Sequence, residues 1–283
     1  MKLDAHQHFW RLDRGDYDWL TPALSPLYRD YLPRDLAPYL EDSGIDATIL
    51  VQAAASEAET LFLLDLAKST PFVAGVVGWT DLEAPDVADR LAALRHAGGG
   101  YLKGVRPMIQ AIADPQWILS PSLDRAFDAI EGLDLRFDAL VLPIHLEPLL
   151  RRLEQRPGLK AVIDHAGKPN IAAGDQLEWA GRLAAIASRT AAMCKLSGLV
   201  TEAGRDWRAE DLAPFVQHII NVFGAERVMW GSDWPVVNLA SNYRAWRVAA
   251  EQLVAELPVS ARERIFGGTA AQFYGIEPPG RQT

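Results

Sequence analysis

The sequence predicts a (β/α)8 barrel forming one domain over residues 1–283. Two observations carry that expectation. Eight short apolar runs alternate with segments of helical periodicity, the pattern of a parallel sheet covered by helices. Imidazole and charged side chains recur at the C-terminal ends of those runs, where barrels of this class place their reactive groups. No Gly-rich dinucleotide fingerprint follows any run, which disfavours an open doubly wound sheet.

The first strand is Lys2 to Trp10, and its His6 and His8 share a face because strand side chains alternate. The stretch from Arg11 to Pro33, rich in Asp, Tyr, Leu and Pro, reads as a long first loop, either a lid or wall of the site or a packed surface loop. A helix over 33–42 puts Leu36, Tyr39 and Leu40 on one face and stops at Gly44. Thr48 to Gln52 is the second strand, and Ser56 with Glu59 forms a capping box for a helix reaching Lys68. Phe72 to Gly78 is the third strand, followed by a helix over 84–97 that ends at three glycines. Tyr101 to Val105 is the fourth, ending in Arg106-Pro107, with a helix over 122–131 after it. The remaining strands are 135–140, 161–164, 192–196 and 227–230. Helices fall at 145–155, 176–188 and 211–223, and helical segments continue to about Tyr274.

Composition narrows the partners. A net charge of −9, with the 28 basic residues forming no run, argues against nucleic acid or an anionic membrane surface. Cys194 is the only cysteine, so an internal disulfide and a cysteine-based zinc site are both excluded, and its apolar strand marks it as a buried, inert thiol. The N-terminus runs straight into the first strand without a leader, and no apolar run reaches the roughly 18 residues of a membrane span. A cytoplasmic protein is expected. Surface Trp and Tyr suffice for a homo-oligomer interface without locating one.

Three strand ends carry the chemistry. His6 and His8 suit a divalent metal or a polarised carbonyl oxygen. Asp233, in Met229-Trp230-Gly231-Ser232-Asp233-Trp234-Pro235, can take a proton from an attacking water, or else cap the next helix. His165, after Val162-Ile163-Asp164, faces the same cavity to polarise a carbonyl or move a proton, or else bonds to nearby backbone. Lys103 and Arg106 share one strand end and could hold hydroxyls or a carboxylate, arginine through a bidentate fork, or could bridge to acids in the barrel wall.

These motifs together resemble the amidohydrolase superfamily. His6-x-His8, Asp164-His165-Ala166-Gly167-Lys168-Pro169 and Gly231-Ser232-Asp233-Trp234-Pro235 are similar to its amidohydrolase-2 branch of lactone hydrolases. Asp4 to Trp10, Leu50-Val51-Gln52-Ala53 and Lys103-Gly104-Val105-Arg106-Pro107 look closer still to its L-fuconolactonase and L-rhamnonolactonase group. The resemblance implies opening of an aldonolactone, of the L-fucono-1,4-lactone kind, with Asp233 activating water and His6, His8 and His165 polarising the carbonyl. The fifth strand carries no histidine, and the next one, His145, opens the following helix. The resemblance therefore implies one divalent ion (zinc or manganese) on His6, His8 and Asp233, or no metal at all. Gln52, Trp79 and Trp234 become candidate walls for a sugar, with Lys168 and His145 at the margin of the pocket. Rival readings are a pyrone or muconolactone hydrolase, a nonoxidative decarboxylase, and a barrel that binds sugar without chemistry.

Overall fold

The computed structural model describes residues 1–174 and 176–277. Eight parallel strands form one sheet in sequence order: β1 Leu3–Gln7, β2 Ala47–Val51, β3 Val73–Gly78, β4 Leu102–Val105, β5 Arg136–Ala139, β6 Ala161–Ile163, β7 Met193–Leu196 and β8 Val228–Trp230. β8 returns to β1 through a parallel bridge between Gln7 and Trp234, so the sheet closes. Two backbone bonds at the rim complete that seam, His8 N–H to Trp234 O at 2.7 Å and Asp233 N–H to His6 O at 2.8 Å. Closure at this point brings the first and last strand ends together.

The α-helices are α1 Pro33–Ser43, α2 Glu57–Ser69, α3 Val87–Gly98, α4 Asp124–Gly132, α5 Leu146–Gln155, α6 Leu177–Arg189, α7 Leu199–Ala203, α8 Ala209–Phe223, α9 Tyr243–Leu253, α10 Val259–Glu263 and α11 Thr269–Tyr274. Their apolar faces (Leu63 and Leu64 of α2, Leu91 of α3, Phe127 of α4, Ile219 of α8, Trp246 of α9) are buried against the strands. Pro33 at the first turn of α1 and Gly44 at φ +60° just past its end bound that helix as expected. None of the helices among the described residues is long and apolar enough to cross a membrane.

A second core fills the barrel itself. Leu3, Ala5, Ile49, Val51, Val77, Val162 and Met229 cluster there with Ala270, Phe273 and Tyr274 of α11. The last helix thus plugs the barrel at the N-terminal end of its strands, leaving the C-terminal end for the site.

The first loop folds onto its own aromatic residues. Trp10 pairs with Tyr31 by a backbone bridge, and its ring meets Tyr17, Trp19 and Tyr31 at 5.5–6.3 Å between centroids. The Trp19 indole N–H donates to Ala53 O just beyond β2, which ties the loop to the barrel rim.

Candidate active site

A break in strand pairing aims the two histidines. Leu3 and Ala5 pack inside the barrel, while Gln7 Nε2 donates to Thr48 Oγ1 at 3.1 Å. The β1–β2 register shifts between Asp4 and Gln7. Such a bulge re-aims side chains, and here His6 and His8 both face the mouth. Buried Asp4 fixes the bulge from behind, accepting the His6 N–H at 3.1 Å and the Ser232 N–H at 2.9 Å. Burial pushes the Asp4 carboxyl up to about 6, against the lowering effect of the Ser232 and His6 bonds.

Four side chains meet at the mouth. His6 Nε2 and His8 Nε2 lie 3.2 Å apart, and Asp233 Oδ1 is 3.3 Å from His8 Nε2, 3.7 Å from His6 Nε2 and 3.9 Å from His165 Nε2. All four residues are at most 4% exposed. Burial alone would raise the Asp233 carboxyl, but His165, His8 and His6 outweigh it and hold Asp233 below the usual carboxylate range. Burial, aided by Lys195, pushes His6 well below its ordinary value, and burial brings His165 down to about 4. At neutral pH the site therefore offers a carboxylate facing the neutral imidazoles of His6 and His165.

The backbone around these groups is strained. His165, Ala166, Lys168 and Asp233 all have φ between +51° and +56°, a region costly for residues with a Cβ. Gly198, at φ +67°, faces the His165 ring so closely that a Cβ there would lie 2.6 Å from His165 Nδ1. Gly231 likewise leaves room for His6, whose Cβ would be 2.6 Å from an added methyl. His165 Nδ1 is bonded to Ser197 Oγ at 2.8 Å, which sets the ring plane.

Beneath the mouth lies a network of fully buried charges. Lys195 Nζ is 2.6 Å from Asp138 Oδ2, 3.0 Å from Asp164 Oδ1 and 3.1 Å from His6 Nδ1. The Tyr274 hydroxyl, reaching up from the basal plug, donates to Asp138 Oδ2 at 2.8 Å. Burial raises both carboxyls, but Lys195, His6 and Arg106 together bring Asp164 well below its ordinary range, whereas Asp138 stays raised. Arg106 reaches Asp164 Oδ2 at 3.2 Å and His6 Nε2 at 3.3 Å, and its other amino group bonds Gln52 O. His6 is thus flanked by a cation at each ring nitrogen, although a neutral imidazole can accept at only one.

These positions sort the candidates named from sequence. His6, His8, His165, Asp233 and Arg106 converge. Gln52 is fully buried and donates to Arg106 O at 2.8 Å, so it supports the arginine. Trp79 follows β3 at the same end, its backbone clamped by the Thr60 hydroxyl. Lys168, three residues beyond His165, pairs with Glu202 at 3.7 Å near the rim.

Four expectations are corrected. Lys103 is not at the mouth: it points into the barrel beside Gly75 and shares a cavity with Arg136 and Gly275 at the opposite end. Three residues of strand separate it from Arg106, roughly 10 Å along the barrel. Trp234 is 1% exposed and packs edge-on against Phe9 and Tyr31, so it is core and no sugar wall. His145 spends Nδ1 on the Leu142 N–H at 3.0 Å, capping its own helix. The expected capping box is half formed: Ser56 accepts from Glu59 N–H, but the Glu59 carboxylate turns to Ala53 and Ala54 N–H.

Lys195, Asp138, Ser197 and Glu202 were not singled out from sequence. A charged residue in the middle of a strand buried on both faces was the available signal for the first two.

The donor set suits a metal ion. Ligand atoms of His6, His165 and Asp233 all lie within 4.8 Å of one another. His8 adds a specific observation. Its Nδ1 faces Val51 O at 2.8 Å, an acceptor only, so Nδ1 carries the proton there and a neutral ring turns its Nε2 lone pair toward Asp233 Oδ1 at 3.3 Å. Two facing acceptors call for a cation or a proton between them, and imidazole nitrogens with a carboxylate oxygen are zinc ligands. The Val51 carbonyl on His8 Nδ1, and Asp164 Oδ1 at 3.5 Å from His6 Nδ1, are the supports that metal-bound histidines use.

The family model described as Amidohydrolase matches residues 3–276. An L-fucono-1,5-lactonase of Burkholderia ambifaria is 44% identical over 98% of this chain and 97% of its own length. One of Burkholderia multivorans is 38% identical over 99% and 97%. A crystal structure of a Burkholderia multivorans amidohydrolase with bound zinc superposes with a TM-score of 0.92 at 37% identity, covering 98% of this chain and 100% of that one. The barrel, its mouth of three histidines and an aspartate, and these matches agree: the chain belongs to the amidohydrolase family.

Proposed function

We propose that this protein hydrolyses a sugar-derived lactone to its aldonic acid, with an L-fucono-1,5-lactone as the first substrate to test. The observation that carries the reading is the meeting of Asp233 with His6, His8 and His165 at 3.3–3.9 Å in a buried mouth. The two relatives named above supply the substrate class, and their names move the expected ring from the five-membered 1,4-lactone to the six-membered 1,5-lactone.

The chain's own groups divide the work. His6, His8 and Asp233 would hold one zinc ion, which when bound polarises the lactone carbonyl and makes water more acidic. Asp233, ionised in the resting site, takes a proton from water as its oxygen bonds to the carbonyl carbon. Collapse of the tetrahedral carbon breaks the bond to the ring oxygen, and the proton returns from Asp233 to that oxygen. His165, neutral above about pH 4, can donate a hydrogen bond to the developing oxyanion through its Nε2 when Ser197 occupies Nδ1 as a donor. The product is a hydroxy acid, which releases one proton to solvent per turnover.

That proton is the assay. Proton release is followed on a panel of L- and D-aldono-1,5- and 1,4-lactones with the protein as purified, chelated, and resupplied with zinc or manganese. Turnover of an L-fucono- or L-galactono-type lactone, lost on chelation and restored by zinc, is expected. Asp233→Asn is expected to lower kcat at least ~1000-fold with an unchanged circular dichroism spectrum, since it removes the base while keeping the side-chain shape. Wild-type turnover in that variant would refute the mechanism.

A further inference from the structure

At the opposite end of the barrel, Arg95 and His96 of α3, Lys103 of β4 and Arg136 of β5 line a cavity of about 670 Å³ beside Tyr274 and Gly275. Its one lining carboxylate among the described residues, Asp134, is already paired, at 3.1 Å with Arg136 and at 2.6 Å with Lys160. Arg136 is further occupied by the carbonyl of Phe273, to which its Nε donates at 2.5 Å. Lys103 and Arg95 have no ion-pair partner among the described residues. The strand makes room for this lysine. A Cβ at Gly75 would lie 2.5 Å from Lys103 Cγ, so glycine there admits a long cationic side chain where an apolar residue would otherwise fill the barrel. Burial, and then the like charge of Arg136, lowers the Lys103 pKa, so the ammonium sits there at a cost that no carboxylate of the described chain offsets.

An oxyanion offsets it. We propose that this basal cavity is a binding site for a small oxyanion, a phosphate or the carboxylate of a hydroxy acid, held by Lys103 with Arg95 and Arg136. The two sources share the chemistry of oxygen acceptors carrying negative charge, for which an arginine fork and an ammonium are the matching donors. The site lies at the other end of the strands from Asp233, so its occupancy is independent of the proposed hydrolysis.

The test is thermal unfolding of the full chain against inorganic phosphate, gluconate and chloride at constant ionic strength, for wild type and Lys103→Met. Wild type is expected to gain about 3–5 °C, saturating with phosphate or with gluconate and not with chloride. Whichever of the two acts at lower concentration identifies the source. Lys103→Met is expected to unfold at or above the wild-type temperature without anion, because a repulsion with Arg136 is gone, and to show no anion response. A ³¹P line of phosphate broadened by wild type and sharp with the variant would be the direct counterpart. Equal anion shifts in both proteins would place the anion elsewhere, at the mouth for instance, and overturn the proposal. So would the absence of any specific shift in wild type.

Discussion

Removing the Lys195 ammonium should destabilise this barrel more than any single loss at the mouth. Lys195 is 0% exposed and lies within 3.1 Å of Asp138, Asp164 and His6. Lys195→Met keeps the stem and deletes the charge, leaving two buried carboxyls without their shared cation. Breaking a buried pair from one side costs roughly 3–5 kcal/mol. The lower end applies here, because burial already raises the Asp138 carboxyl and lets it take up a proton once the cation is gone. Asp164 keeps Arg106 at 3.2 Å and remains ionised. A loss of about 3 kcal/mol is a large share of the roughly 5–15 kcal/mol that holds a typical domain together. It should move the urea midpoint down by at least ~1 M.

The same geometry predicts a rescue. Replacing Lys195, Asp138 and Tyr274 together by Met, Leu and Phe swaps the polar group for apolar side chains of similar volume, which is often neutral or stabilising. Urea midpoints of the single and triple variants are compared with wild type, alongside lactone turnover. The triple variant should regain at least half of the lost stability, yet kcat/KM should stay down by ~100-fold or more, because His6 has lost the group that holds its ring. A single variant within 1 kcal/mol of wild type, or a triple variant no more stable than the single, would refute this account of the network.

Gly198 and Glu59 give two further expectations. Gly198→Ala puts a methyl 2.6 Å from His165 Nδ1 at a backbone of φ +67°, so the ring must swing away from Ser197; kcat/KM should fall ~100-fold, and stability by about 1–2 kcal/mol, in initial-rate and denaturation measurements. Glu59 is fully buried on the Ala53 and Ala54 N–H groups, and burial lifts its carboxyl from 4.5 to about 7. Its folded pKa lies above its unfolded one, so the stability this group contributes is present below pH 4.5 and fades as pH rises to 7. The fading amounts to about 3 kcal/mol, and Glu59→Gln should flatten that part of a stability–pH curve; an unchanged slope would show that Glu59 is ionised in the folded chain throughout.

The residues at the mouth were legible because each ends a strand. Alternation on an extended chain aligns His6 with His8, and the order of strands in a closed barrel brings Asp233 of the last beside them. Depth along a strand was not legible in the same way. Lys103 and Arg106 stand three residues apart in sequence, and reading them as one cationic pair ignored about 10 Å of barrel between them. Trp234 beside Asp233 suggested an aromatic wall, yet its side chain turns the other way, between Phe9 and Tyr31. The buried network was missed for a third reason: Asp138 and Lys195 sit in the middle of short apolar runs, where the run identifies the strand and distracts from the charge inside it. A strand of this kind of sheet is covered on both faces, so a charged side chain in its middle has little water to reach and needs an opposite charge, from the chain or from a bound ion. The aspartate of β5 and the lysine of β7 flank the Asp164 end of β6, and they have the opposite signs such a pairing requires. Matching the unlike charges within strands across the sheet, before assigning the ones at their ends, offers Asp138 and Lys195 as a buried pair.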